Sequence, residues 1–281
     1  MKNKIAITAA VLLILSSLAG CAAGAADPVP SAATEALAET IPPETAASTA
    51  AQPETEALTE ETEPFLVEIT PVITGSQTQV TVTTVDEFLA AIAPNTEILL
   101  DAALLDLSEA TGYGEADGVY YYWDESYDGP ELHIWNVSNL TIRGTGEDHG
   151  TNVISSVPRY AHVLAFENCS NIYTAHFTAG HTKEPGYCEG GVLLFLNCQD
   201  ILVEDCGLFG CGTFGVTGRS SKNMQIVNND IYECSYGGVE LSNCYDVNVD
   251  GNTFRDLGGP VFWIYDSKNI TCNGEPADPF Q

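Results

Sequence analysis

A five-residue block returns through this chain at a fixed interval, and few folds can accommodate that. Asn197-Cys198-Gln199-Asp200-Ile201 is followed 23 residues later by Ser220-Ser221-Lys222-Asn223-Met224. The same interval leads to Asn243-Cys244-Tyr245-Asp246-Val247 and then to Asp266-Ser267-Lys268-Asn269-Ile270. Two earlier blocks, Asn168-Cys169-Ser170-Asn171-Ile172 and Asn136-Val137-Ser138-Asn139-Leu140, match at longer spacing. Repetition at this period means stacked turns of a solenoid, because one repeat cannot bury its apolar face alone. The residues after each block alternate, as in Ile201/Val203, Met224/Ile226, Val247/Val249 and Ile270/Cys272. Period two marks a strand with one inward face. A second alternating stretch precedes the blocks: Leu193/Phe195, Val216, Val239/Leu241 and Phe262/Ile264. Helical repeats are longer and would show apolar spacings of three and four.

This pattern resembles the right-handed parallel β-helix proteins of the pectin-lyase-like superfamily, especially their repeat lipoproteins, over about Val82 to Cys272. The resemblance implies an all-β fold, a right-handed parallel β-helix with coils of about 23 residues and a short N-terminal capping helix. Val85-Asp86-Glu87-Phe88-Leu89-Ala90-Ala91-Ile92 reads as that helix, plugging the open end of the first coil. Ile98 to Leu107 supplies the opening strands. The β-helix domain is expected over 77–281, the size of one domain.

Before the repeat lie two segments of different character. Lys2 and Lys4 precede an apolar run from Ile5 to Leu15, too short for a permanent membrane span and suited to a signal peptide. Leu18-Ala19-Gly20-Cys21 resembles the bacterial lipobox. That resemblance implies cleavage after residue 20 and acylation of Cys21, with the protein exported and lipid-anchored on the extracytoplasmic face of a bacterial membrane. Residues 21–76 are rich in Ala, Thr, Glu and Pro, with ten acidic and no basic residues between Ala22 and Gly75. So few large apolar groups cannot offset the entropy of ordering, so the segment reads as a disordered tether. As a random coil it would span roughly 40 Å.

Charge then limits the partners. The whole chain carries −30, and from Ser76 onward 29 acidic residues face 7 basic ones. Such a surface repels phosphate backbones and anionic lipids, which excludes nucleic acid. The repeat also stacks thiols into columns: Cys169, Cys198 and Cys244 in one, Cys188, Cys211 and Cys234 in another. Cys206, Asn229 and Asn252 share a third, read as an amide ladder at a bend. Small buried residues, disulfides and a thiolate metal site are the three readings of these cysteines. The first is favoured, since stacked thiols on parallel strands are poorly oriented for a bridge and no C-x-x-C pair exists; no metal ligands are assigned.

Threading the register through the strand before each block gives two outward rows. One reads His133, Ala165, Leu194, Thr217, Glu240, Trp263; the other reads Trp135, Glu167, Leu196, Arg219, Ser242, Tyr265. Aromatic side chains interleaved with charged ones suit sugar rings, with His133, Trp135, Trp263 and Tyr265 as the stacking set. Three stretches break the repeat, Gly112 to Pro130, Gly144 to Pro158 and Thr178 to Tyr187, and loops on a rigid scaffold are common binding sites. Against the polygalacturonases of the superfamily, Gly180-His181-Thr182 and Glu204-Asp205 are partial echoes and the remaining motifs are absent. The lyases of the superfamily imply Ca²⁺ on clustered acids and an Arg or Lys base. Two functions follow. One is a non-catalytic surface module that binds a polysaccharide or another extracellular partner. The other is a polysaccharide lyase or glycoside hydrolase working through Arg219, Glu240 and Glu167, or through His181 and Lys183.

Overall fold

The computed structural model describes residues 69–181, 189–210 and 212–279. The chain divides into two units, Met1–Glu60 and Glu61–Gln281, and the described residues all belong to the second. Cys21, the signal segment, most of the expected tether, Lys183, Cys188 and Cys211 lie outside the described residues. No helix among the described residues is long and apolar enough to cross a membrane.

The domain opens with β1 (Thr78–Val82), the helix α1 (Val85–Ala91), β2 (Thr96–Leu100) and β3 (Leu104–Asp106). Thr84 caps α1 by accepting from the Glu87 amide, and the Glu87 carboxylate reaches back to the Thr83 amide at 2.8 Å. The cap fixes where a seven-residue helix starts. Phe88 and Leu89 then close the first coil by burial in the main core. A hairpin follows, β4 (Tyr121–Ser126) against β5 (Gly129–Trp135), and β5 begins the first complete coil with β6 (Ser138–Gly144) and β7 (Val153–Ser156). The next coils are β8 (Leu164–Glu167), β9 (Ser170–Ala175), β10 (Thr178–His181), then β11 (Leu193–Leu196), β12 (Gln199–Glu204), β13 (Gly207–Phe209). After them come β14 (Phe214–Arg219), β15 (Lys222–Val227), β16 (Asp230–Tyr232), then β17 (Gly237–Ser242), β18 (Tyr245–Asp250), β19 (Thr253–Arg255). The last partial coil holds β20 (Phe262–Tyr265) and β21 (Lys268–Cys272), closed by the short antiparallel β22 (Glu275–Pro276).

Stacking these coils gives three sheets. The front sheet runs β4-β5-β8-β11-β14-β17-β20, the side sheet β1-β2-β6-β9-β12-β15-β18-β21-β22, and the back sheet β3-β7-β10-β13-β16-β19. The repeat foretold the front and side strands. The back strands are three or four residues long, too short for period two to show. Gly112 to Pro130, read as an irregular loop, contains β4 and the start of β5. Its aromatic run Tyr120 to Trp123 has the propensity of a strand, and β5 would otherwise be an open edge.

The polar pair of the repeat is explained by backbone geometry. Asn136, Asn168, Asn197, Ser220, Asn243 and Asp266 all have φ between 46° and 53°; Asn139, Asn171, Asp200, Asn223, Asp246 and Asn269 have φ between 54° and 59°. Both positions are left-handed, where Asn and Asp are tolerated best among residues with a Cβ. Their side chains bond from coil to coil, as in Asn223 Nδ2 to Asp200 Oδ1 at 2.6 Å and Asn269 Nδ2 to Asp246 Oδ1 at 2.8 Å. At the side-to-back corner the amide ladder is present. Asn229 Oδ1 accepts from the Cys206 amide at 2.8 Å, and its Nδ2 donates to the Val203 carbonyl and to Asn252 Oδ1.

Inside, Phe166 stacks on Phe195 at 5.0 Å, parallel within 8°. Cys169, Cys198, Cys206, Cys234 and Cys244 are free and buried. Burial pushes the Cys206 and Cys234 thiols up to about 12, which keeps them unreactive. In their column Cys198 and Ser221 play one role: Sγ of Cys198 accepts from the Cys169 amide, and Oγ of Ser221 accepts from the Cys198 amide.

The tether boundary expected at residue 76 differs from the structure. Ile69 to Thr74 packs on the outside of the side sheet and crosses from β15 past β12 and β9 to β6. The Thr70 amide donates to Gln225 Oε1 and its carbonyl accepts from Gln225 Nε2, the Asn171 side chain donates to the Val72 carbonyl, and the Thr74 amide donates to Asn139 Oδ1. Val72 is buried with Leu202 and Val227, beside Ile69, Ile73 and Tyr173. The apolar residues Ile69, Val72 and Ile73 follow no period of two and sit in a polar, Thr- and Pro-rich context that masked their packing value. Replacing Asn229 with Ala tests the ladder. It strands the buried Cys206 amide and should lower stability by about 1–3 kcal/mol in urea unfolding, whereas the exposed Asn248→Ala should change it by under about 0.5 kcal/mol.

Candidate functional site

Pairing along the front sheet places His133, Ala165, Leu194, Thr217, Glu240 and Trp263 in one row, and Trp135, Glu167, Leu196, Arg219, Ser242 and Tyr265 in the next. Both rows fall where the register puts them, but their exposure differs from the flat open face expected. His133, Ala165, Leu194 and Thr217 are buried. Trp135 and Tyr265, 37% and 40% exposed, and Arg219 make the second row the accessible one. The two aromatic ends stand five strands apart, roughly 24 Å.

At the N-terminal end the hairpin builds a compact constellation. β4 pairs antiparallel with β5 so that Tyr122 lies opposite His133. Their rings stack at 4.8 Å, and Trp135 meets Tyr122 edge-on at 5.9 Å. The Tyr122 hydroxyl donates to Glu167 Oε2 at 2.5 Å. Burial, then this hydrogen bond and the surrounding carboxylates, push the phenol well above its ordinary range, so Tyr122 stays a donor. On the far side of His133, Nε2 is 2.9 Å from Glu131 Oε1, while Glu131 Oε2 accepts from the His162 amide at 2.6 Å and faces His162 Nδ1 at 3.2 Å. Burial would raise the Glu131 carboxyl, but the hydrogen bonds from His133 and His162 outweigh it and hold it near 2. An ionised Glu131 requires the proton on His133 Nε2. His133 Nδ1 is then left buried and without a hydrogen-bond partner, 3.8 Å from Glu167 Oε2.

Beside this array is a cavity of about 400 Å³ lined by Asp117, Gly118, Tyr121, Tyr122, Trp135 and Glu167. Gly118 is required there: a Cβ would sit 2.1 Å from the Tyr121 ring. Asp117 is held by accepting from the Trp123 amide at 3.0 Å. A larger trough of about 670 Å³ follows the front-to-side corner past Asn168, Asn197, Gln199, Ser220 and Lys222. Several of its polar groups are already spent on one another, as in Asn197 Nδ2 to Asn168 Oδ1. The smaller cavity combines aromatic faces with carboxylates, and it carries the site.

Other expected site residues are not brought together. Arg219 pairs with Glu240 at 3.1 Å, but Glu167 stands two strands away, about 10 Å, and is bound to Tyr122 instead. The Arg219, Glu240 and Glu167 set is therefore not one site. Half of the Arg219 side chain is in solvent, where such a pair contributes little. His181 is fully buried at the end of β10, its Nε2 bonded to the Ala161 carbonyl at 2.7 Å, and burial lowers its basicity. Trp263 and Tyr265 lie 6.4 Å apart, with Tyr236 stacked on Trp263. Asp205 sits between His176 and His149, at 2.9 and 3.4 Å. Among the described residues no group of three such ligands is arranged to hold a metal ion. Glu131 and His162 were missed, and Tyr121 and Tyr122 were indicated only as members of the irregular stretch Gly112 to Pro130. The density of Tyr and acids in that stretch pointed to the two tyrosines without giving a register, and nothing in the sequence signalled Glu131 or His162.

A family model described as a right handed beta helix region matches residues 131–275. Among solved structures, a provisionally assigned glycosyl hydrolase from Parabacteroides merdae is similar at 10% identity and a TM-score of 0.46, covering 69% of this chain and 95% of its own. A doubly substituted pectate lyase from Xanthomonas campestris aligns at 12% identity and a TM-score of 0.25, covering 74% of this chain and 84% of its own. No curated protein matches the sequence.

The Glu131 array has a measurable pH signature. Its carboxyl is depressed from 4.5 to about 2, so its contribution is complete above about pH 4.5 and is lost as pH falls through 2. Glu131→Gln should be less stable than the parent at neutral pH by a few kcal/mol. Urea midpoints measured from pH 7 to 2 should show that gap closing below pH 4.5. A gap independent of pH would contradict the ionised pairing.

Proposed function

Because this chain belongs to the right-handed β-helix family, with its rigid stacked platform, we propose that it is a glycan-binding surface module whose sugar site is the cavity beside Trp135. The observation that carries this reading is the meeting of Tyr121, Tyr122 and Trp135 with Glu167 and Asp117 in one concave space. Aromatic rings cover the apolar face of a pyranose, and fixed carboxylates accept from its hydroxyls. Fold alone does not give function, so the proposal stands on these side chains. Binding is favoured over cleavage because glycoside hydrolysis needs two working carboxylates. Each carboxylate here is engaged as an acceptor: Glu167 takes the Tyr122 hydroxyl, Asp117 the Trp123 amide, and Glu131 has both oxygens occupied by His133 and His162. The basic residue expected for elimination, Arg219, is two strands from Glu167.

The same proposal places the module outside the cell, exported and anchored by a lipid on Cys21. That part is supported by the Leu18–Cys21 lipobox and the acidic low-complexity stretch that follows it. Two coils of the front sheet away, Arg219→Ala serves as the control. In a glycan-array screen followed by titration, Trp135→Ala should weaken binding at least ten-fold, about 1.4 kcal/mol, and Arg219→Ala should not. Binding indifferent to Trp135, or depolymerisation of any bound polysaccharide, would replace this reading with another site or with the enzyme. Cys21→Ser should move the protein from the membrane to the soluble fraction on cell lysis.

A further inference from the structure

The chemistry of the cavity narrows its ligand beyond the word glycan. Two carboxylates, Asp117 and Glu167, and three aromatic rings line it, and no Lys or Arg among the described residues does. Three of the described arginines have carboxylates of their own: Arg143 with Glu97, Arg219 with Glu240 and Arg255 with Asp230. Among the described residues the hydrogen-bond donors to Glu167 are uncharged, the Tyr122 hydroxyl and the Asn168 side-chain amide at 3.3 Å. A carboxylate accepts at about four lone-pair positions, so acceptor capacity is left on the cavity side. The one imidazole near it among the described residues, His133, holds Nδ1 at 3.8 Å, beyond hydrogen-bond reach and able to form an ion pair only when the ring is protonated. Among the described residues this carboxylate therefore has no Lys or Arg partner, and its nearest imidazole lies beyond hydrogen-bond reach.

The rings point the same way. The face of a Trp or Tyr is the negative pole of its quadrupole and attracts ammonium groups, most strongly when water is partly excluded. Trp135 and Tyr122 meet edge to face at 5.9 Å, giving two differently oriented rings around one space. Over longer range the chain's −30 charge concentrates cations at such a cleft and repels uronates, sulfates and phosphates.

We propose that the cavity formed by Asp117, Tyr121, Tyr122, Trp135 and Glu167 recognises an amino sugar with a free, protonated amine, in a glycan whose amino groups are not acetylated. This rests on the glycan reading of the same cavity and specifies it. The pyranose lies on Trp135, and its ammonium group sits against Tyr122 and donates to Glu167. An N-acetyl group removes the charge and adds bulk where the carboxylate waits.

The test uses the purified mature chain in slightly acidic buffer, with tryptophan fluorescence and calorimetry as readouts. Its probes are glucosamine oligomers, the fully N-acetylated oligomers of the same length, and choline. Glucosamine oligomers should bind at least ten-fold tighter than the acetylated ones, and about 0.5 M salt should erode the difference. Glu167→Gln keeps an acceptor for Tyr122 while removing the charge, and it should abolish the preference. Asp117→Asn should reduce it. Unchanged circular dichroism separates these effects from unfolding. Equal or tighter binding of the acetylated oligomer, still lost in Trp135→Ala, would overturn the amine assignment and leave the glycan site standing. Binding of choline but of neither oligomer would overturn both the sugar and the amine-sugar readings. No Trp135-dependent binding of any probe would remove the site altogether.

Discussion

Each coil turns its corner through residues in the left-handed region of backbone space, and the stack depends on those bends. A residue with a Cβ there costs roughly 1–2 kcal/mol, least for Asn and Asp, whose side chains bond locally. Asn168, Asn197, Ser220 and Asn243 follow one another at φ of 51° to 53°. One such bend would be a small defect. Repeated on every coil, the bends align, and their side chains bond along the solenoid axis, as Asn223 does to Asp200. The strain is thereby offset by contacts that exist only because the neighbouring coil makes the same bend.

In-register stacking has a second consequence, which is that sequence arithmetic becomes geometry. Residues 23 apart are hydrogen-bonded neighbours: Thr217 with Glu240, Glu240 with Trp263, Lys222 with Tyr245. That is why both front rows, the thiol column and the Asn229–Asn252 ladder could be written down from the sequence. It also explains why the columns tolerate Cys and Ser interchangeably. Cys198 and Ser221 each accept an amide from the preceding coil, a role that needs a small acceptor of the right reach rather than a particular chemistry.

The arithmetic stops where the chain leaves the repeat. Tyr122 pairs with His133 across an antiparallel hairpin, and no interval of 23 connects them. His162 reaches Glu131 from the turn before β8, and Ile69–Thr74 packs on Leu202 and Val227 from outside the solenoid. Burial of the row at His133, Ala165, Leu194 and Thr217 was equally invisible, since register says which way a side chain points and not what lies over it. The candidate site is thus half legible. Trp135 and Glu167 come from the repeat, while Tyr121 and Tyr122 come from the covering strand β4, His162 from the turn before β8, and Glu131 from the start of β5, ahead of the residues the register reaches.

That division follows from how a solenoid must end. A parallel front sheet presents an unpaired edge at its first strand, and an open edge invites association with other chains. Here the edge is closed by β4, an antiparallel strand whose side chains owe nothing to the 23-residue pattern. Being free of the pattern, it can carry the bulky Tyr121, Tyr122 and Trp123 without disturbing the coils. Its outward side chains rise over the first rows of the sheet and turn a flat face into a cavity, with Gly118 making room for Tyr121. The same hairpin sets His133 between Tyr122 and Glu131 and brings Glu167 under the phenol. Closing the edge and building the concave site are thus one structural event. Among the described residues the C-terminal strand β20 has no such partner, and there Trp263 and Tyr265 remain on an open face.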